Sequence, residues 1–187
     1  MNKIDSEVKL DFSDVLIEPK ASSVPLTRKS VDIEIDWLGT TATPVIVSNM
    51  LSTGTYKIAN MLTPLRVFTF LHKEYTAEQH ITELEKMQDR KFIAITSGVQ
   101  SWDKEKTIEV VSKFPDIGII NVDIANVYAN IDGMMETIKL YREKFPHIKV
   151  LLWIAMKKLL NIASKLFQTE DVLLPVMFAK QLVPEPS

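Results

Sequence analysis

Short apolar runs alternate with amphipathic stretches along most of the chain. The apolar runs are rich in β-branched residues and predict five strands, at residues 44–49, 66–72, 91–97, 117–123 and 148–155. The amphipathic stretches predict four helices, at residues 55–62, 77–89, 104–114 and 131–145. Strands and helices that alternate in this way are typical of βα units around a parallel sheet, so an α/β fold is expected.

One helix start and two helix ends carry a local signal. Thr76 is followed by Gln79 at the spacing of a capping box, in which two side chains satisfy two backbone N–H groups, and this predicts a helix that begins at residue 77. Pro115 and Pro146 lie just past the ends of two other predicted helices, where a residue that cannot continue a helix is tolerated.

The spacing of the strands decides between two α/β architectures. Predicted strands begin about every 26 residues, the length of a βα unit, and a closed barrel of eight units needs roughly 250 residues. The sequence has 187 residues, so we expect an incomplete (β/α)8 TIM barrel of the N-terminal five to six units. The alternative, an open doubly wound sheet, usually carries a glycine-rich first turn, and the sequence has neither G-x-G-x-x-G nor a P-loop. The expected organisation is an N-terminal segment at 1–43, a partial barrel at 44–155 and a divergent tail at 156–187.

Composition excludes several classes of function. The chain has 22 basic and 24 acidic residues, a net charge of −2, which argues against nucleic-acid binding through bulk charge. It contains no cysteine, which excludes a disulfide, a thiolate metal site and a cysteine nucleophile within these residues. Its apolar run at 150–156 is far shorter than the roughly 20 residues that span a bilayer, and the first residues do not resemble a signal peptide. We therefore expect a cytoplasmic protein that binds neither membranes nor nucleic acid.

Polar residues follow four of the five predicted strands, at the rim where barrel enzymes place their chemistry. They are Ser48 and Asn49, His72 and Lys73, Thr96 to Gly98, and Asp123 with Asn126. Their joint placement favours one shared site for a ligand of phosphate or nucleotide size.

Each candidate also has an ordinary structural interpretation. Asp123 could cap the loop that follows it, Met50 could fill the core, and Lys73 could be a solvated lysine. The three histidines, His72, His80 and His147, lack the spacing of metal ligands, so no metal site is predicted.

Four segments, in the same order along the chain, resemble the IMP dehydrogenase and GMP reductase family. They are the opening segment 9–20, the strand 44–50 with the loop 53–55, the His-Lys-x-Tyr element at 72–75, and the strand exit 121–126. The resemblance is closer to the reductase branch and runs from about residue 9 to residue 150.

This resemblance implies a (β/α)8 barrel enzyme that reductively deaminates GMP to IMP and ammonia with NADPH, usually as a homotetramer. Carried over by motif position, Lys73, Asp123, Ile124 and Ala125 would lie on the cofactor side of the site. Met50 would lie near the bound nucleotide. Thr27 and Arg28 resemble the family's Ser-Arg pair, which reaches the cofactor of a neighbouring subunit.

The sequence departs from the family pattern at several positions. Leu51 replaces an Asp, Val127 replaces a Gly, and Met156-Lys157-Lys158 stands where the family has Gly-Asn-Val. The Gly-Pro-Gly-Ser-x-Cys loop, with its catalytic cysteine and potassium site, is absent, so no catalytic residue is assigned. We therefore expect a truncated or altered GMP reductase that is inactive as written. Two alternatives are a non-catalytic nucleotide-binding or subunit-interaction protein, and an active oxidoreductase with another nucleophile.

A separate expectation concerns the tail, residues 156–187. The apolar segment 172–179 lies where a sixth strand is due, but it contains Pro175, which a central strand tolerates badly. Because the resemblance stops abruptly, a frameshift near codons 154 to 157 is expected, and the other reading frames of the coding DNA should then restore the family motifs. A partial barrel with open edges is also expected to associate or aggregate.

Overall fold

The computed structural model describes residues 12–16, 18, 21, 27–125 and 129–152, together with the backbone of 172–173. The chain divides into two compact units, Met1–Asp32 and Ile33–Ser187. In the first unit, a 3-10 turn spans Phe12–Asp14. A second turn follows at residues 27–30, where the Ser30 N–H donates to the Thr27 carbonyl oxygen at 3.0 Å.

The second unit begins with an antiparallel hairpin of β1 (Ile35–Trp37) and β2 (Thr40–Ala42). Six parallel strands follow: β3 (Ile46–Val47), β4 (Phe68–Phe70), β5 (Ile93–Ser97), β6 (Ile119–Val122), β7 (Lys149–Leu152) and β8 (Val172–Leu173). Among the described residues, four α-helices connect β3 to β7: α1 (Tyr56–Leu62), α2 (Ala77–Lys86), α3 (Ser101–Lys113) and α4 (Ile131–Lys144). The strands pair in chain order, from β3 to β8, which confirms the predicted α/β fold of parallel βα units.

The strand register brings the carboxyl ends of the central strands to one edge of the sheet. Ser97, at the end of β5, lies opposite Val122, at the end of β6, and Val122 lies opposite Leu152 of β7. Residues that follow these strands therefore leave the sheet side by side.

Two apolar clusters pack against opposite faces of the sheet, because side chains alternate along each strand. On one face, β-strand residues such as Ile95 and Ile120 pack against the helices. On the other, Phe68, Phe70 and Ile119 pack against the hairpin. The hairpin residue Trp37 contacts Phe68 edge to face, with ring centroids 4.8 Å apart.

The hairpin was not predicted from the sequence. Its turn needs two residues with left-handed backbone, Leu38 at φ 58° and Gly39 at φ 78°. A glycine adopts this conformation freely. Gly39, which lies between the aromatic Trp37 and the β-branched Thr40, was therefore a sequence signal for a hairpin turn.

The predicted helices are confirmed, with small changes at their ends. The capping box at α2 is present: Thr76 N–H donates to Gln79 Oε1 at 2.9 Å, and Gln79 N–H donates to Thr76 Oγ1 at 3.2 Å. Helix α2 ends at Lys86 rather than at residue 89, because the backbone of Met87 is extended and its side chain is buried. Helix α3 starts at Ser101 rather than at 104, and its N-cap residue, Gln100, makes no side-chain hydrogen bond that could have signalled the start.

The sixth strand position is occupied by β8, in which Val172 pairs in parallel with Val150. Pro175 and the rest of the tail, like residues 153–155 of the fifth predicted strand, lie outside the described residues. Within the described ranges, none of the helices has both the length and the apolar character needed to cross a bilayer.

Candidate functional site

A cleft of about 610 Å³ opens at the carboxyl ends of β4, β5 and β6. Three loops build it: the loop after β4, the loop after β5 with the first turns of α3, and the loop after β6. Its lining residues are Lys73, Glu74, Tyr75, Thr76, Gly98, Val99, Gln100, Trp102, Asp103, Lys106, Asp123, Ile124 and Ala125.

Asp123 is held on two sides. Its main-chain N–H donates to the carbonyl oxygen of Ser97 at 2.9 Å, which ties the exit of β6 to the exit of β5. Its carboxylate accepts a hydrogen bond from Asn49 Nδ2 at 2.8 Å, and Asn49 follows β3 on the far side of β4 and β5. Side chains from the exits of β3 and β6 therefore meet at the rim, as the strand-exit pattern predicts.

Two lysines with different surroundings face the cleft. Lys73 lies in the loop after β4 and is partly exposed. Lys106, from the second turn of α3, donates a hydrogen bond to the main-chain oxygen of Lys73 and lies 3.6 Å from Asp103 Oδ1. Burial lowers the pKa of Lys106, and the neighbouring carboxylate of Asp103 opposes that shift.

An aromatic cluster supports the wall of the cleft behind Lys73. The rings of His72 and Tyr75 stack with centroids 3.9 Å apart, and Tyr75 also contacts Tyr56 at 5.0 Å. The Tyr56 hydroxyl is 2.6 Å from Nδ1 of His80, which is fully buried. Burial lowers the pKa of His80 to about 3, so this ring is neutral at physiological pH.

The structure brings four of the predicted site residues together, since Lys73, Asp123, Ile124 and Ala125 all line the cleft. Met50 lies beyond β3, half exposed, and is not part of this lining.

Thr27 and Arg28 lie in the first unit, and both are exposed. Thr27 closes the turn there: its N–H donates to Ser30 Oγ at 2.8 Å, and Ser30 Oγ in turn donates to the Thr27 carbonyl oxygen at 3.1 Å. Their role in binding a cofactor stays a prediction.

The sequence analysis missed three cleft residues of α3, which are Trp102, Asp103 and Lys106. Trp102 is 65% exposed, and Lys106 lies one helical turn further along the same face. An aromatic residue followed four positions later by a lysine, in the first turns of the helix that leaves a strand exit, was the available signal.

The groups in the cleft match the parts of a nucleotide better than those of a simple anion. The ammonium group of Lys73 provides a cation for a phosphate group, and the carboxylate of Asp123 can accept hydrogen bonds from ribose hydroxyls. Trp102 presents an aromatic face on which a base can stack. A nucleotide combines all three parts. Within the described part of the chain, His, Asp and Glu residues form no group of three that could hold a metal ion.

Comparison with known proteins relates the chain to one family over part of its length. A GMP reductase from Phytophthora infestans is 34% identical over 156 residues, which cover 78% of this chain and 41% of that protein. GMP reductase 1 from Homo sapiens is 33% identical over 153 residues, which cover 78% and 44% respectively. No family model matches the sequence.

A solved structure supports the fold. The inosine 5′-monophosphate dehydrogenase from Legionella pneumophila superposes with a TM-score of 0.66 at 22% identity, over 78% of this chain and 44% of that one. The chain is thus related to the GMP reductase and IMP dehydrogenase family over about 78% of its length, and its fold matches part of a TIM barrel. It spans less than half the length of these relatives.

Proposed function

We propose that this chain binds NADPH in the cleft at the ends of β4, β5 and β6, as the cofactor side of a site related to that of GMP reductases. The observation that supports this most is the convergence of four residues, Lys73, Asp123, Ile124 and Ala125, on one cleft. Motif position assigns these residues to the cofactor independently of their placement in the cleft, where Lys73 faces the consecutive residues 123–125.

In this proposal each residue has a separate task. The ammonium group of Lys73 pairs with a phosphate group of the cofactor, and Asp123 accepts hydrogen bonds from a ribose. Asn49 keeps the carboxylate of Asp123 in place through the bond at 2.8 Å. Ile124 and Ala125 form the adjoining wall, and Trp102 offers a stacking surface at the cleft.

The relatives are named GMP reductases, so the reaction proposed for the complete site is the reduction of GMP to IMP and ammonia, a step of purine nucleotide salvage in the cytoplasm. NADPH would supply the hydride. Met50 is proposed to lie near the purine nucleotide. Thr27 and Arg28 would reach the cofactor of a neighbouring subunit in a homotetramer.

We propose further that the chain alone does not turn GMP over. The resemblance assigns the covalent step to a cysteine, and none of the 187 residues is a cysteine. No serine or threonine stands at motif spacing from a base that could replace it.

A second candidate function is non-catalytic association with other subunits of the family. Exposed apolar residues near β3, an edge strand of the described sheet, favour it: Ile35 and Val45 are 44% and 55% exposed. Apolar surface beside a strand edge is suited to pairing with another chain.

Titration of the full 187-residue chain with NADPH, followed by calorimetry and by quenching of tryptophan fluorescence, tests cofactor binding. Saturable binding with a 1:1 stoichiometry is the expected result, and Trp102→Leu should remove most of the quenching. Consumption of NADPH should not follow when GMP is added. The absence of binding at millimolar NADPH would overturn the proposal, and co-purification with a full-length GMP reductase would then favour the second candidate.

A further inference from the structure

Lys106 departs from the usual situation of a lysine. Most lysines are solvated, but the side chain of Lys106 is only 12% exposed, and that of its partner Asp103 is 10% exposed. The Lys106 ammonium group donates to the main-chain oxygen of Lys73, which lies 33 residues earlier in the chain. The ammonium group of Lys106 is therefore shielded from solvent and hydrogen-bonded to the loop after β4.

The contacts of Lys106 reach two of the loops that line the cleft. Asp103 lies 3.6 Å from Lys106, and its carboxylate occupies the space beside Gly98, where an added Cβ would clash with it. Gly98 belongs to the loop after β5, and Lys73 belongs to the loop after β4. The contacts Gly98–Asp103–Lys106–Lys73 therefore join the two loops through the start of α3.

The neighbours of Lys106 act on its charge in opposite directions. Asp103 and Glu74 favour the charged form of Lys106, whereas burial and the nearby ammonium of Lys73 oppose it. A buried cation without partners would be costly, and the hydrogen bond to a carbonyl together with the ion pair offsets that cost.

We propose that Lys106 is the positioning residue of this cleft: it holds the main chain of Lys73 so that the Lys73 side chain faces the bound nucleotide. The identity of that nucleotide rests on the proposed function. The connection between the two loops does not, because it is made within the protein itself.

The connection is tested first without a ligand. In the full chain, Lys106→Met keeps the apolar stem and removes the ammonium group. We expect hydrogen exchange of the amides at 73–75 to rise at least about fivefold, with no matching rise in β5 or β6. Lys104→Met is the matched control, because Lys104 is an equally shielded lysine of α3, 18% exposed, whose partner is Glu136 on α4. If Lys106→Met does not fold, hydrogen exchange at 73–75 is measured in Lys106→Gln instead and compared with the same control.

The positioning role is then tested with NADPH. Lys73→Met should raise the Kd about 10- to 100-fold and Lys106→Met about tenfold, and the double variant should bind no more weakly than Lys73→Met alone, since Lys106 acts through Lys73. Additive losses would overturn the positioning role, since they would mean that Lys106 contacts the nucleotide itself. Unchanged exchange at 73–75 would overturn the connection. If the wild-type chain does not bind NADPH, the proposed function fails, and the exchange measurement still decides the role of Lys106.

Discussion

At the scale of single residues, the chemistry of the cleft depends on charged side chains whose orientation is imposed by neighbours. The carboxylate of Asp123 is oriented by Asn49, and the main chain of Lys73 is held by Lys106. Charged groups that are already oriented lose little entropy when a ligand binds, which makes them effective in binding it.

Substitution of the two charged residues should weaken NADPH binding. A charge-assisted hydrogen bond contributes roughly 1.5 to 3 kcal/mol, so Asp123→Ala and Lys73→Met should each raise the Kd by about 10- to 100-fold. Calorimetry of the full chain measures this. Lys139→Met, which removes an exposed lysine from α4, is the control and should leave the Kd unchanged. Wild-type affinity in both cleft variants would refute their assignment to the cofactor.

His80 should make the fold sensitive to acid. Its pKa is about 3 in the folded chain, against an ordinary value of 6.5, because burial disfavours the charged ring. The unfolded chain therefore takes up a proton below pH 6.5 that the folded chain refuses until about pH 3. The free energy of unfolding falls as the pH is lowered through this window, by about 2 kcal/mol between pH 6.5 and pH 5.

Urea unfolding at several pH values measures this effect. His80→Gln removes the titrating ring while keeping polar atoms near Tyr56, so its stability should fall less steeply between pH 6.5 and pH 5 than that of the wild type. Equal slopes in the two proteins would show that other groups cause the acid sensitivity.

At the scale of elements, side-chain hydrogen bonds cap the starts of α1, α2 and α4. In α2 the capping box is reciprocal, and in α4 the Asn130 side chain accepts from the N–H of Gly133 at 3.2 Å. Because α2 begins directly after the cleft loop 73–76, the stability of its first turn also limits the mobility of that loop.

Removal of the cap should destabilise α2. Thr76→Ala leaves a backbone N–H of the first turn without its partner and should lower the free energy of unfolding by about 1 kcal/mol. Thr82→Ala, an exposed threonine within the same helix, is the matched control and should be neutral or slightly stabilising, because alanine has the higher helix propensity. Chemical denaturation compares the two. An equal loss in both variants would mean that the cap contributes nothing.

At the scale of the whole molecule, the described sheet is open at β3. This strand pairs only with β4 in the described sheet, and beside it Ile35, Trp37, Val45 and Ile46 line a small apolar recess. Exposed apolar surface next to an unpaired strand edge favours association.

The chain is therefore expected to associate in solution. Light scattering should show species larger than a monomer at micromolar concentration, and Val45→Lys should shift them towards monomer, because a charge at a strand edge opposes pairing. Met61→Lys, on the exposed side of α1, serves as the control and should have no such effect. A single monomeric species in the wild type, with cooperative unfolding, would contradict the expectation.

The sequence by itself determined the strands of the parallel sheet, the helices between them and their order, but not the hairpin of β1 and β2. Helices and strands follow from the periodicity of apolar residues, and the start of α2 follows from Thr76 and Gln79, because both signals act between residues close in the chain. The rim location of Lys73 and Asp123 could also be predicted, since strands of a parallel sheet all end at the same edge.

Tertiary structure alone decided which groups meet and how they are buried. The Asn49–Asp123 bond joins residues 74 positions apart, and the Lys106–Lys73 bond joins residues 33 positions apart. The packing of Trp37 on Phe68 likewise places the hairpin on the sheet. No periodicity in the chain encodes such pairs, because they depend on strand register and on the angle at which each helix packs. The local pattern could therefore predict a nucleotide-sized site at the rim. It could not predict that the Lys106 side chain would turn inward and donate a hydrogen bond to the main chain of Lys73.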